Sequence, residues 1–273
     1  MKNKYVATLI YYIQLWVEKI LLIIRYYLSS KNLVINKDKC LIKFNNDGDD
    51  QELLYIVNWD KYYNEEFPKL NNLINKGENV IDVGANLGFF ALMISNLVGN
   101  SGKVFCFEPS RIVYNKLINN LNLNHINNVI TENMGLGEKD GQKILKRNKK
   151  YSGMSSIILE QDGDVVEEKI NISSIDKYFI NKNLKIKLIK IDTEGFEPQV
   201  LKGALNLIKS QQPIIYIELG GGKFLKSSIE ALNILLQNEY TLSVTVEELK
   251  RIKSGTNFVA LPKREIKNHN LFN

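Results

Sequence analysis

Between residues 79 and 261, short apolar runs rich in Val, Ile and Phe alternate with stretches whose apolar positions recur every three or four residues. The runs at 80–83, 103–107, 129–131, 185–191 and 213–218 predict buried strands. Helical spacing at 89–97, 112–123, 199–208 and 228–236 predicts the helices between them. Strands that are apolar on both sides must be covered on both faces. The pattern therefore predicts an α/β fold: a mostly parallel sheet with helices on both faces. Two last strands, at 240–246 and 257–261 with no helix between them, are expected to close one edge as a hairpin.

Upstream of this rhythm, 33–44 predicts short strands ending in a turn-rich stretch at 45–50, and 53–57 predicts another strand. Residues 67–75 carry Leu70, Leu73 and Ile74 at helical spacing, and Gly77 follows as a stop. Between 133 and 172 the alternation breaks. Gly135, Gly137 and Asp140-Gly141 are turn signals, and a basic stretch (Lys143 to Lys150) precedes an acidic one (Glu160 to Glu168). This predicts β-hairpin insertions on the core, with the charges on solvated faces.

Residues 5–28 are apolar and aromatic, between Lys2, Lys4 and Lys31, and long enough to span a bilayer. Gln14, Glu18, Lys19 and Arg25 interrupt them. Gln14, Glu18 and Arg25 share one stripe of a helix, while a spanning helix would carry Glu18 and Lys19 near its middle at a cost of several kcal/mol. Three readings stay open: a helix packed on the core or a partner, an interfacial membrane helix, and a spanning one. No small-residue cleavage site follows, which disfavours a secretory signal. The expected divisions are 1–32, an N-terminal helix; 33–78, strands and a helix leading into the core; 79–265, the main domain; and 266–273, a tail. The expected location is cytoplasmic, with membrane association through the first segment left open.

Composition changes this picture little. At 273 residues and 44% hydrophobic, the chain can bury one large core. A net charge of +6 is mildly basic and does not imply a nucleic-acid partner. Two cysteines cannot make a disulfide framework, and no Cys/His cluster has metal-ligand spacing, so no metal is expected. Cys106, inside an apolar run, reads as core packing. His125, after a helix, reads as a loop residue rather than a base.

Chemistry concentrates at the predicted carboxyl ends of strands, where open α/β sheets bind ligands. The first strand runs through Asp82-Val83-Gly84-Ala85-Asn86-Leu87-Gly88 into a helix. Its glycines allow close backbone approach, and the free N–H groups of a helix start attract a carboxylate. A methionine-type tail would supply that carboxylate, with Asp82 placed to pair with its ammonium. Gly-x-x-x-Gly lacks the extra glycine of a dinucleotide site, which argues against a nicotinamide cofactor. The second strand ends in Phe107-Glu108-Pro109, and Glu108 is placed to accept both hydroxyls of a ribose. Past the third strand, Glu132, Asn133 and Met134 lie where an adenine is expected; Asn133 is the candidate taken. The fourth strand ends in Lys190-Ile191-Asp192-Thr193-Glu194-Gly195-Phe196-Glu197, three carboxylates in six residues.

With these runs in view the chain resembles the FkbM methyltransferases over roughly residues 50–262. The resemblance rests on Asp82 to Phe90, Phe107-Glu108-Pro109, Ser174-Ile175-Asp176-Lys177-Tyr178, and Lys190 to Glu197 continuing to Leu201-Lys202-Gly203-Ala204. It implies the class I methyltransferase (Rossmann-like) fold with a seven-stranded sheet, S-adenosyl-L-methionine as cofactor, and contacts to it from Asp82, Gly84, Asn86 and Glu108, with Gly88 of the same turn as a further candidate. It also implies methyl transfer, usually to a hydroxyl of a sugar, glycan, lipid-linked or secondary-metabolite acceptor. A hydroxyl acceptor needs a base, and Asp192 and Glu194 are the candidates, with Glu218 as an outsider. Either could instead ligate a metal, and Glu194 could instead cap the next helix. A nicotinamide enzyme, a nucleic-acid methyltransferase and a non-catalytic interaction module are the competing classes. No Asn-Pro-Pro-Tyr-type run or Pro-Cys nucleophile supports the second.

Overall fold

The computed structural model describes residues 17, 19–21, 23–24, 33–37, 40–44, 50–149, 155–158, 164–253 and 255–268. The chain opens with the hairpin β1 (Leu33–Lys37) and β2 (Cys40–Phe44), followed by the long helix α1 (Asp50–Leu73). Then come β3 (Asn79–Val83), α2 (Phe89–Val98), β4 (Lys103–Phe107), α3 (Arg111–Leu123) and β5 (Val129–Glu132). Next are β6 (Gly135–Leu136), β7 (Gly141–Asn148), β8 (Val165–Ser173) and α4 (Ile175–Phe179). The last stretch holds β9 (Ile186–Ile191), α5 (Glu197–Lys202), α6 (Leu205–Gln211), β10 (Ile214–Leu219), α7 (Leu225–Gln237), β11 (Tyr240–Leu242), α8 (Val246–Arg251) and β12 (Thr256–Pro262).

Seven strands form one sheet in the order β11-β12-β10-β9-β3-β4-β5, with β12 antiparallel to both neighbours. The expected α/β class and seven-stranded sheet are therefore present. Alternate residues of each strand feed two cores, because successive side chains point to opposite faces. Val80, Val104, Cys106, Leu188 and Tyr216 pack under α1, α2 and α3. Ile81, Val83, Phe105, Phe107, Ile189, Ile191 and Ile217 pack under α5, α6 and α7. Each such side chain contributes about 1.5–3 kcal/mol by leaving water. Cys106 is fully buried, as its apolar neighbourhood led one to expect.

The chain order reverses between β3 and β9. From β3 it runs outward through β4 to β5, and from β9 it runs the other way to β10. The connections after β3 and β9 therefore lead away to opposite sides of the switch point, and a crevice opens there at the carboxyl edge. The inserted strands make a second sheet, β6-β8-β7, beside this crevice.

Several local expectations need correction. Residues 53–57 lie in α1 rather than a strand; a five-residue apolar run is as compatible with a helix turn as with a strand. The strand expected over 240–246 stops at Leu242, and α8 follows, begun by a capping box in which Thr245 and Glu248 bond each other's backbone. β11 and β12 do pair antiparallel, but across that helix. The helix expected at 199–208 divides into α5 and α6 at Gly203, where a Cβ would lie 1.9 Å from the Gly137 carbonyl oxygen. In the acidic run, Glu168 is not merely solvated: its two oxygens accept from Ser110 Oγ (2.8 Å) and Arg111 N (2.7 Å), capping α3 from a neighbouring strand. Lys149 and Asp164 do form an exposed ion pair. His125 lies in the exposed loop after α3.

Of the N-terminal segment, Val17, Lys19 to Leu21, Ile23 and Ile24 are helical, and the rest of 5–28 lies outside the described residues, as does the tail beyond 268. Among the described residues no helix is long and apolar enough to cross a membrane.

Candidate active site

The crevice is a cavity of about 230 Å³, lined by Gly84, Asn86, Glu108 and Leu136 together with Asp192, Glu194, Glu218 and Asn257. Phe89, Phe90 and Phe196 supply apolar walls, and Leu145, Ser155 and Ile157 reach it from the inserted sheet and the segment beside it.

The turn after β3 is shaped by its backbone. Gly84 has φ +78°, and a Cβ there would lie 1.9 Å from the Asp192 carbonyl oxygen, so only glycine lets the two turns meet. Asn86 also takes a left-handed conformation (φ 51°), which costs an L-residue about 1–2 kcal/mol. Its Oδ1 is buried without a hydrogen-bond partner while the residue lines the cavity. An orphaned acceptor of that kind fits a ligand that brings a donor.

Glu108 sits just past β4 and is 7% exposed. Its Oε2 accepts from Asn86 N (3.0 Å) and its Oε1 from Ser110 N (2.9 Å), which fixes the carboxylate while leaving each oxygen a further lone pair. Burial raises its pKa to about 7, against the pull of those two amides. Two fixed oxygens at the end of the second strand suit a ribose diol.

Three predicted cofactor contacts fall elsewhere. Asp82 is fully buried within β3, and Lys190, opposite it in the β3–β9 register, already holds it at 3.1 Å. It does not line the cavity. Gly88, with φ +90°, begins α2 and lies against Leu117, where a Cβ would approach to 2.7 Å; its role is packing. Asn133 is exposed, and its Nδ2 donates to the carbonyls of Glu108 and Pro109, both at 3.0 Å. It braces the Glu108 loop from behind. Glu132 is likewise occupied, accepting from the Tyr178 hydroxyl at 2.8 Å. Of the expected cofactor contacts, Gly84, Asn86 and Glu108 line the cavity.

Lys190 is the residue that sequence reasoning passed over. Its side chain is 1% exposed, and Nζ lies 3.1 Å from Asp82, 3.6 Å from Asp192 and 4.7 Å above the Phe90 ring, and donates to Gly84 O at 3.2 Å. Burial alone would strip its proton, but Asp82, Asp192 and Glu218 outweigh that and raise its pKa. One buried cation thus ties the turn after β3 to the turn after β9. The visible signal was a lysine inside the apolar run Leu188-Ile189-Lys190-Ile191.

Both candidate bases line the cavity, and Glu218 joins them: Asp192, Glu194 and Glu218 have carboxylate oxygens all within 4.8 Å of one another. Burial, then the charges of Asp192 and Glu197, raises the pKa of Glu194 to about 8. Glu218 is pushed well above the ordinary range, first by Asp192 and then by burial. Three carboxyls this close hold a proton, or a cation, among them. Glu194 has φ +52°. The turn that forces this is held by Glu197, whose Oε1 accepts from Thr193 N (2.9 Å), Thr193 Oγ1 (3.0 Å) and Gly195 N (3.1 Å). Glu197 thus braces the turn, the capping role weighed for Glu194 is not taken up, since Phe196 is the N-cap and makes no side-chain cap, and Glu194 lines the cavity. Asp176, in another of the sequence runs, is architectural: its carboxylate accepts from Asn206 N and Leu207 N at the start of α6.

Comparison with known proteins agrees with this geometry. A family model described as the methyltransferase FkbM domain matches residues 82–242, more than half of the chain. The chain belongs to the FkbM methyltransferase family. Residues 82–242 thus constitute an S-adenosylmethionine-dependent methyltransferase domain, and they contain every cavity-lining carboxylate named above. "Methyltransferase 1" of Beauveria bassiana is 24% identical over 143 residues, 45% of this chain and 57% of that protein. "Methyltransferase sdnD" of Sordaria araneosa is 27% identical over 154 residues, 45% of this chain and 59% of that protein. The chain thus spans less than two thirds of the length of the curated relatives it matches. Among solved structures, a methyltransferase FkbM from Methylobacillus flagellatus KT is 18% identical, with a TM-score of 0.46, covering 78% of this chain and 55% of that one.

Proposed function

We propose that this FkbM-family protein transfers a methyl group from S-adenosylmethionine to a hydroxyl of a neutral acceptor, such as a sugar, glycan, lipid-linked hydroxyl or secondary metabolite. The observation that carries this reading is the carboxyl cluster Asp192, Glu194 and Glu218 lining the same cavity as Gly84, Asn86 and Glu108.

Glu108 would hold the ribose diol and Asn86 Oδ1 would accept a donor from the cofactor. The cofactor supplies a methyl on a positively charged sulfur, already activated for attack. What the chain must add is alignment of the acceptor oxygen and removal of its proton. Glu194, with a pKa of about 8, is better matched to an alcohol than an ordinary carboxylate, because a stronger base takes the proton more readily. Asp192, paired with Lys190, fixes the acceptor, and Glu218, its pKa pushed up by Asp192 and by burial, carries the shared proton. A wall of carboxyls disfavours anionic acceptors and nucleic-acid backbones alike.

The test is transfer of label from S-adenosylmethionine to a panel of neutral polyols, glycans, hydroxylated lipids, RNA and anionic hydroxy acids. Labelled neutral hydroxyl compounds, lost in Glu194→Gln, support the reading. Transfer to RNA or to anionic acids in preference would refute it, and cofactor binding without transfer to any class would favour a non-catalytic module.

A further inference from the structure

The described part of the N-terminal helix has an apolar face that the fold leaves uncovered. Val17 is 49% exposed, Ile20 45%, Leu21 53% and Ile24 45%, while Lys19 and Ile23 are less exposed. Offsets of three, four and seven residues put the four exposed side chains on one stripe. A single exposed isoleucine needs no explanation, but four in a row form a patch.

The chemistry around the patch selects what covers it. Residues 1–32 hold Lys2, Lys4, Lys19, Arg25 and Lys31 against Glu18 alone, so about an eighth of the chain carries four of its six net positive charges. Tyr5, Tyr11, Tyr12, Trp16, Tyr26 and Tyr27 add amphipathic rings of the kind that settle at headgroup depth. A second copy of the same segment would bring like charge to like charge. A spanning helix would carry Glu18 and Lys19 through hydrocarbon. Apolar stripe, basic flanks and Tyr/Trp together match a helix lying in the plane of an anionic bilayer.

We propose that this segment docks the enzyme on an anionic lipid surface, with Val17, Ile20, Leu21 and Ile24 below the headgroups and the basic residues at the lipid phosphates. The inference does not depend on which acceptor is methylated.

Flotation of the full chain with vesicles tests it, using phosphatidylcholine alone and phosphatidylcholine with about a third phosphatidylglycerol, at low and high salt. The protein is expected to float with anionic vesicles, at least about ten-fold less with neutral ones, and progressively less as salt rises. The double variant Leu21→Glu/Ile24→Glu is expected to partition about a hundred-fold more weakly. Its melting temperature and its affinity for S-adenosylhomocysteine should be unchanged. Lys2→Gln/Lys4→Gln, which leaves the stripe intact, should weaken binding to anionic vesicles only. Absence of flotation, or equal flotation of Leu21→Glu/Ile24→Glu, overturns the proposal. So does retention in cell membranes after alkaline carbonate washing, which means a spanning helix, and so does a dimer abolished by the double variant without vesicle binding.

Discussion

Glu194→Gln should make the protein more stable while making it a worse enzyme, and the gain should depend on pH in a way the geometry dictates. A carboxyl whose pKa is raised on folding is protonated in the folded chain and ionised in the unfolded one between the two values. The folded state therefore loses stability as pH rises from about 4.5 to about 8, and the loss is complete above that. Those two values set a ceiling of about 5 kcal/mol. Glu194 keeps some solvent contact, so about 2–3 kcal/mol is the expected size. Glutamine has the shape of the neutral carboxyl and escapes this cost. Urea unfolding of wild type and Glu194→Gln at pH 4 and pH 9 measures it: stabilities within about 0.5 kcal/mol at pH 4, and the variant ahead by about 2–3 kcal/mol at pH 9. Equal stability at pH 9, or the same gain at both pH values, would refute the claim that ionising Glu194 in the folded cavity is what costs the energy.

Turnover should rise with pH through about 8 and level off above it, because the base works ionised, and Glu194→Gln should lower kcat by about 10²–10⁴-fold in a labelled-methyl assay. Glu108 loses its charge as pH falls through about 7, so S-adenosylhomocysteine affinity measured by calorimetry should weaken below that pH; Glu108→Gln should bind about ten-fold more weakly and lose this dependence. Lys190→Met leaves Asp82 buried without its cation, and chemical denaturation should show a loss of about 3–5 kcal/mol. The double replacement Asp82→Leu/Lys190→Met should recover most of that loss, which a simple packing defect at Lys190 would not allow.

Much of the sheet was legible because strands buried on both faces write themselves as apolar runs, as at Val80 to Val83 and Val104 to Phe107. Boundaries failed where local signals compete. Thr245-Val246-Glu247-Glu248 carries a capping-box pattern that β-branched neighbours obscured, and the apolar run inside α1 has no period of its own. Gly84, Asn86, Glu108, Asp192 and Glu194 could be placed at the cavity because each follows directly on a strand end. Asp82 was misjudged for a long-range reason. Its partner is fixed by the adjacency of β3 and β9 and by the register that sets Asp82 opposite Lys190, neither of which is written near residue 82. The division of labour between Glu194 and Glu197 was equally hidden, since it turns on which carboxylate reaches the Thr193 and Gly195 amides.

The bond from Lys190 to the Gly84 carbonyl joins positions 106 residues apart. Closing so long a loop costs entropy that only the completed β3–β9 pairing offsets, so this contact must form late in folding. During synthesis β3, β4 and β5 leave the ribosome well before β9 and β10. The half that would grip the ribose can therefore be assembled while the half that holds the carboxyl cluster is still untranslated. A nascent chain has no finished crevice to offer, and methyl-transfer chemistry can begin only after the second half has docked.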